Sequence, residues 1–135
     1  MAKKKTIGQL KKELDRHFNK YIRLRDTEDR YGPCISCGFV FPFEELDAGH
    51  FFAKNGYDGI RFDECNVNAE CRKCNRFDDS HLIGYHDNLT KKIGEEGMID
   101  LKERAAEYKR GSFKWSRIEL EEMIVYYKQK VKEMS

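Results

Sequence analysis

No run of about 18 apolar residues occurs anywhere in the chain, so nothing in it reads as a membrane span. The basic start, Met-Ala-Lys-Lys-Lys-Thr, leads into an amphipathic stretch and lacks the apolar core of a signal peptide. No internal repeat, low-complexity linker or clear domain boundary interrupts the sequence. Apolar residues are scarce, 39% against 37% charged, which is less than a globular chain usually carries. A small core with so much charge asks for an added constraint, and a structural metal supplies one. These absences point to a single domain over residues 1–135 in a cytosolic setting, where paired cysteines favour metal over disulfide.

The formal net charge of +2 hides an uneven layout. Residues 1–30 carry 10 basic and 5 acidic side chains, residues 31–80 carry 5 and 9, and residues 81–135 carry 11 and 10. A basic arm beside an acidic centre suits a protein that grips phosphate with one part and a divalent cation with another. A solvated, charge-rich helix surface accounts for the same counts.

Thr6-Ile-Gly-Gln9 fits a capping box and predicts a helix start. Ile7, Leu10, Leu14, Phe18, Tyr21 and Ile22 then recur at helical spacing. Lys11, Lys12, Arg16, Lys20 and Arg23 lie mostly off that stripe, where they could follow a DNA backbone. Tyr31-Gly-Pro33 is expected to stop this basic helix. Asp47–Phe52 and Ile60–Phe62 predict two short strands, joined by turn formers from Lys54 to Gly59. From Asn66 a short helix is expected to carry Cys71, Cys74 and Asn75. Helices are predicted over about 81–93 and 98–108, broken near Gly94 and ended at Gly111. Ser116-Arg-Ile-Glu119 is a second capping box. The stripe behind it, Leu120, Met123, Ile124, Tyr127 and Val131, is expected to pack on the first helix. The class is α+β: a basic N-terminal helix over 1–30, a stapled centre over 31–80 and a helical part over 81–135.

The staple is Cys34-x2-Cys37-x33-Cys71-x2-Cys74. Four thiolates from two matched knuckles suit zinc, which takes four such ligands tetrahedrally. The gap between pairs exceeds that of simple four-cysteine motifs, so a folded insert must lie between them. Cys65, the odd cysteine, is expected to be a packing residue beside Phe62.

A zinc ion closed by four cysteines does no catalysis, so any chemistry comes from the insert. His50 can act as a base, since its unperturbed pKa of about 6.5 leaves it mostly neutral in cells. Asn75 and Asp47 offer hard oxygens to Mg²⁺ or Mn²⁺. Asn66 can bond across a loop and pin the histidine segment, and Arg61 can stabilise charge on a phosphate. Lys54, Arg72, Lys73 and Arg76 would add to the grip on a DNA backbone. Each residue also has a plain structural use, a satisfied histidine or a helix-capping asparagine among them.

His50, Asn66 five residues before Cys71, and Cys74-Asn75 together resemble the His-Asn-His (HNH) nuclease motif on a ββα-metal fold. The Cys-x-x-Cys-Asn arrangement is similar to that of the phage junction resolvases of the endonuclease VII type. Cys34-x-x-Cys37-Gly38, Asp47-Ala-Gly-His50, Arg61-Phe-Asp-Glu-x-Asn66-Val67 and Ala69-x-Cys71-x-x-Cys74-Asn75-Arg76 resemble the lambdoid phage NinG family, also called Rap. Leu89-x-x-x-Ile93-Gly94 and the basic C-terminal helix fit that family too, so the likeness covers about residues 30–135. The resemblance implies a recombination endonuclease cutting branched DNA, such as D-loops and Holliday junctions, in the cytoplasm of a phage-infected bacterium. It implies His50 as general base, Asn66 as its brace, Asn75 as a ligand of the catalytic metal, and structural zinc beside it. In many relatives the residue before the histidine binds that metal; here it is Gly49, which cannot. Asp47 is the expected substitute, with His81 and Asp79 as further candidates. In an extended strand Asp47 points away from His50, so a bend or bulge would decide its reach. Two rivals keep the same residues: a zinc-finger DNA-binding or adaptor module without catalysis, and a general nicking enzyme. Two-strand cutting of a symmetric junction would favour a homodimer.

Overall fold

The computed structural model describes residues 3–110 and 113–135. Helix α1 (Ile7–Arg25) starts as the sequence predicts, with the Thr6 hydroxyl accepting from Gln9 N and the Gln9 amide oxygen accepting from Thr6 N. Its Leu10, Leu14, Phe18 and Ile22 are buried. The helix ends well before Tyr31, because the Thr27 hydroxyl donates to the Arg23 carbonyl and the chain then turns through Asp29 and Arg30 at positive φ. Tyr31-Gly-Pro33 is instead strand β1 (Tyr31–Pro33), antiparallel to β2 (Val40–Pro42). Gly32 allows β1 to lie against the helix end: a Cβ there would stand 2.2 Å from the Asp26 carbonyl oxygen.

The second sheet pairs β3 (Leu46–His50) with β4 (Val67–Cys71), and helix α2 (Arg72–Arg76) follows β4 at once. This corrects two expectations. Ile60–Phe62 is not a strand; Asp58–Ile60 is a single 3₁₀ turn. The segment expected to enter a helix at Asn66 is the second strand. All five of its residues are buried, so it shows none of the alternation by which a half-exposed strand is recognised.

One face of this sheet packs on α1 and on α4 (Arg117–Met134). Ala48 and Val67 join Leu14, Phe18, Leu120, Ile124 and Tyr127 there, and Ser116 caps α4 as expected. The other face meets α3 (His81–Arg110), whose Tyr85 hydroxyl donates to the Gly49 carbonyl. Tyr85, Leu89, Met98 and Leu101 form a second core with Ile35 and Ile60. Helix α3 breaks at Gly94, as predicted, where φ is 82° and ψ 166°, a backbone that suits glycine. Gly111, expected to end it, lies outside the described residues. Cys65 is half-buried against the second core, whereas Phe62 belongs to the first. Among the described residues no helix is long and apolar enough to cross a membrane.

Candidate functional site

The two knuckles meet because both hang on β4. Ile35 N donates to the Ala69 carbonyl at 2.9 Å, and β4 itself ends in Cys71. The Sγ atoms of Cys34, Cys37, Cys71 and Cys74 all lie within 4.8 Å of one another, with Cys37 and Cys71 at 4.0 Å. A tetrahedral zinc at about 2.3 Å from each sulfur needs edges of about 3.8 Å, so the four fit that ion. Ser36 N and Cys37 N each donate to Cys34 Sγ at 3.4 Å. Burial pushes the Cys34 thiol up, but those backbone donors and that of Cys71 bring it below its ordinary value. Cys37 and Cys74 are pushed up by burial and by their thiol neighbours, which oppose one another's ionisation unless a cation sits between them.

His50 closes β3. Its Nε2 lies 2.9 Å from the Arg61 carbonyl oxygen. A carbonyl only accepts, so Nε2 carries the hydrogen and Nδ1 holds the lone pair. Burial lowers the ring's pKa to about 4; the Arg61 carbonyl works against this and the Lys54 charge with it. Asn66 is fully buried. Its Oδ1 accepts from Phe52 N at 2.8 Å, and its Nδ2 donates to the carbonyls of Phe52 (3.0 Å) and Ile60 (3.2 Å). It thus ties both ends of the loop after His50, as expected. Asn66→Ala should cost about 3 kcal/mol, since three backbone groups, buried or partly buried, lose partners at about 1 kcal/mol each. Denaturant unfolding of the zinc-loaded chain measures it, and a loss under 1 kcal/mol would contradict the clamp.

The structure uses Arg61 differently from the expectation. Its guanidinium is committed to Asp15 on α1, with Nε at 3.0 Å, so its carbonyl is what reaches His50. Asp47 and His50 are kept apart by an unbroken register running from Leu46↔Cys71 to His50↔Val67. No bulge turns Asp47 round: His50 shares the α1 face with Ala48, and Asp47 stays on the other. There Asp47 accepts from Asn75 Nδ2 at 3.0 Å and from Arg76 Nε and Nη2, both at 2.9 Å. Arg76 is therefore paired, as is Lys11 with Asp58, and Arg72 donates to the Glu44 carbonyl. Lys12, Arg16 and Lys20, four residues apart on α1, are exposed in one line, and Lys54 and Lys73 are exposed too.

A family model described as Bacteriophage Lambda NinG protein matches residues 1–135. The chain belongs to the NinG family. Protein ninG of Escherichia phage 933W is 31% identical over 91% of this chain and 57% of its own length. For protein ninG of Escherichia phage lambda the figures are 30%, 91% and 56%, and for that of Salmonella phage P22 they are 31%, 91% and 56%. This NinG-family chain thus spans little more than half the length of the curated relatives it matches. No solved structure matches it.

One residue of this NinG-family chain escaped the sequence reading. Glu70 sits at the open position of Ala69-x-Cys71, and the structure buries it completely beside His81 and Ser36. A carboxylate amid the small and apolar residues of a short run, next to a zinc ligand, was the available signal.

Proposed function

We propose that this chain is a divalent-metal-dependent endonuclease of the His-Asn-His type, cutting branched DNA such as D-loops and Holliday junctions in phage homologous recombination. The observation that carries this is the neutral His50 ring held at the end of β3 by a loop that a buried asparagine clamps. The order β3–β4–α2, with Cys74-Asn75 in the helix, supports the ββα-metal assignment. In the reaction Nδ1 of His50 takes a proton from the attacking water. A bound Mg²⁺ or Mn²⁺ would stabilise charge on the phosphate and on the departing 3′ oxygen. Asn75 and Asp47 offer oxygens that fit such an ion, although Asp47 already serves Arg76 and Asn75.

Substrate binding follows from exposed charge and aromatics. The line Lys12–Arg16–Lys20 and Lys73 would hold phosphates, which carries no sequence information. Phe77, directly after α2, is 79% exposed, and aromatic faces stack on unpaired bases of the kind a branch point offers. Incubation with junction, D-loop, duplex and single-stranded DNA in Mg²⁺ or Mn²⁺ is the test. Branched substrates should be cut, and EDTA exposure brief enough to spare the zinc should stop the cutting. Shifted but uncut DNA would instead favour the zinc-stapled binding module, and equal cutting of every substrate a general nicking enzyme.

A further inference from the structure

Glu70 is fully buried, yet only one of its two carboxylate oxygens is used. Oε2 accepts from the Ser36 hydroxyl and lies 2.5 Å from His81 Nδ1. Among the described residues Oε1 has no hydrogen-bond partner. It lies over Gly49: a Cβ built on that glycine would stand 2.1 Å from it. The missing side chain of residue 49 is thus the space this oxygen enters, one residue from His50. Asp47 is the direct cross-strand partner of Glu70, so two carboxylates are carried side by side on one face of a two-stranded sheet. Arg76 and Asn75 already serve Asp47, so the oxygen that asks for a partner is Oε1 of Glu70, and buried carboxylates in proteins are paired with cations or bind metals.

We propose that Glu70 and His81 join Asp47 and Asn75 in holding the divalent cation of this chain, with Glu70 doing from β4 what the side chain at Gly49 cannot do from β3. Mg²⁺ and Mn²⁺ are commonly held by one or two carboxylates, the remaining positions going to water and substrate phosphate, so a full protein cage is not required. An imidazole beside the carboxylate suits Mn²⁺ as well. Ser36 lies inside the first zinc knuckle, and a Cβ on Gly84 of α3 would stand 2.0 Å from its carbonyl oxygen. The zinc staple and the start of α3 therefore set the position of the Glu70 carboxylate together.

The site's role in cleavage rests on the nuclease reading; its affinity for a cation does not. The zinc-loaded full chain, without DNA, is titrated with Mn²⁺ and free Mn²⁺ is followed by electron paramagnetic resonance. One bound Mn²⁺ per chain is expected, weakened at least tenfold in Glu70→Gln and unchanged in His50→Ala. No Mn²⁺ binding by the unaltered chain, or equal binding by Glu70→Gln, would overturn the site. If Glu70→Gln loses zinc or helicity, His81→Ala on the partly exposed helix start decides in its place by the same criterion. Mn²⁺ binding without cleavage of any DNA would remove the nuclease and leave the site. Unaltered cleavage and Mn²⁺ affinity in Glu70→Gln would do the reverse.

Discussion

Replacing His50 by alanine should lower Mg²⁺-dependent cleavage by about 10²–10⁴-fold, the usual contribution of a positioned general base. Zinc content and helicity should stay as they are, because the ring's hydrogen bond is to a single loop carbonyl. Cleavage at the unaltered rate would take His50 out of the reaction. The same ring gives a pH signature. Its pKa in the folded chain is depressed to about 4, chiefly by burial. Between that value and the unfolded one, about 6.5, the unfolded chain binds more protons. The stability it contributes is therefore complete above about pH 6.5 and is lost as pH falls towards 4, by about 3 kcal/mol at most. The difference between the unaltered chain and His50→Gln isolates this, since the pH dependence of the zinc site is common to both. An NMR titration of the His50 Cε1 proton should show its midpoint near 4; a midpoint at 6.5 would contradict the buried, neutral base.

Removing the zinc should have the largest effect on folding. Structural zinc sites contribute about 10–16 kcal/mol of apparent binding energy at neutral pH. The net stability of a domain is about 5–15 kcal/mol. Four sulfurs close enough for one ion join β4, α2 and the loop between β1 and β2, and Cys74 is the one residue that α2 buries. A strong chelator, or Cys71→Ser, should therefore abolish cooperative unfolding of the centre of the chain. Circular dichroism and zinc content measure this together; a metal-free chain with an unchanged melting temperature would show that the thiols only pack.

What the sequence revealed was what local chemistry determines. Thr6 and Ser116 announced their helices because a capping box needs only four consecutive residues. Gly94 announced its break because few other residues tolerate that backbone. The four cysteines announced a common ligand because their spacing has few other uses. Strand β4 stayed hidden because Val67-Asn-Ala-Glu-Cys71 is covered on both faces by helices far away in the chain, and its period says nothing of that. Ile60–Phe62 looked like a strand because a short apolar run carries no information about whether a partner exists. Proximity along the chain points to Asp47 as the carboxylate nearest His50, while the carboxylate that lies over Gly49 comes from a residue 21 positions further on. Arg61 reversed its expected part for a similar reason: Asp15, which claims its guanidinium, is 46 residues away.

The Arg61 carbonyl that orients His50 is slung between two separate cores. Ile60, just before it, is seated with Tyr85 and Leu101 of α3, and Phe62, just after it, with Phe18 and Tyr127 of α1 and α4. The imidazole's aim is thus a compromise between two anchorages on opposite sides of the molecule. Loosening either one, even by a change at Tyr127 of α4, would tilt the acceptor and turn the ring with it.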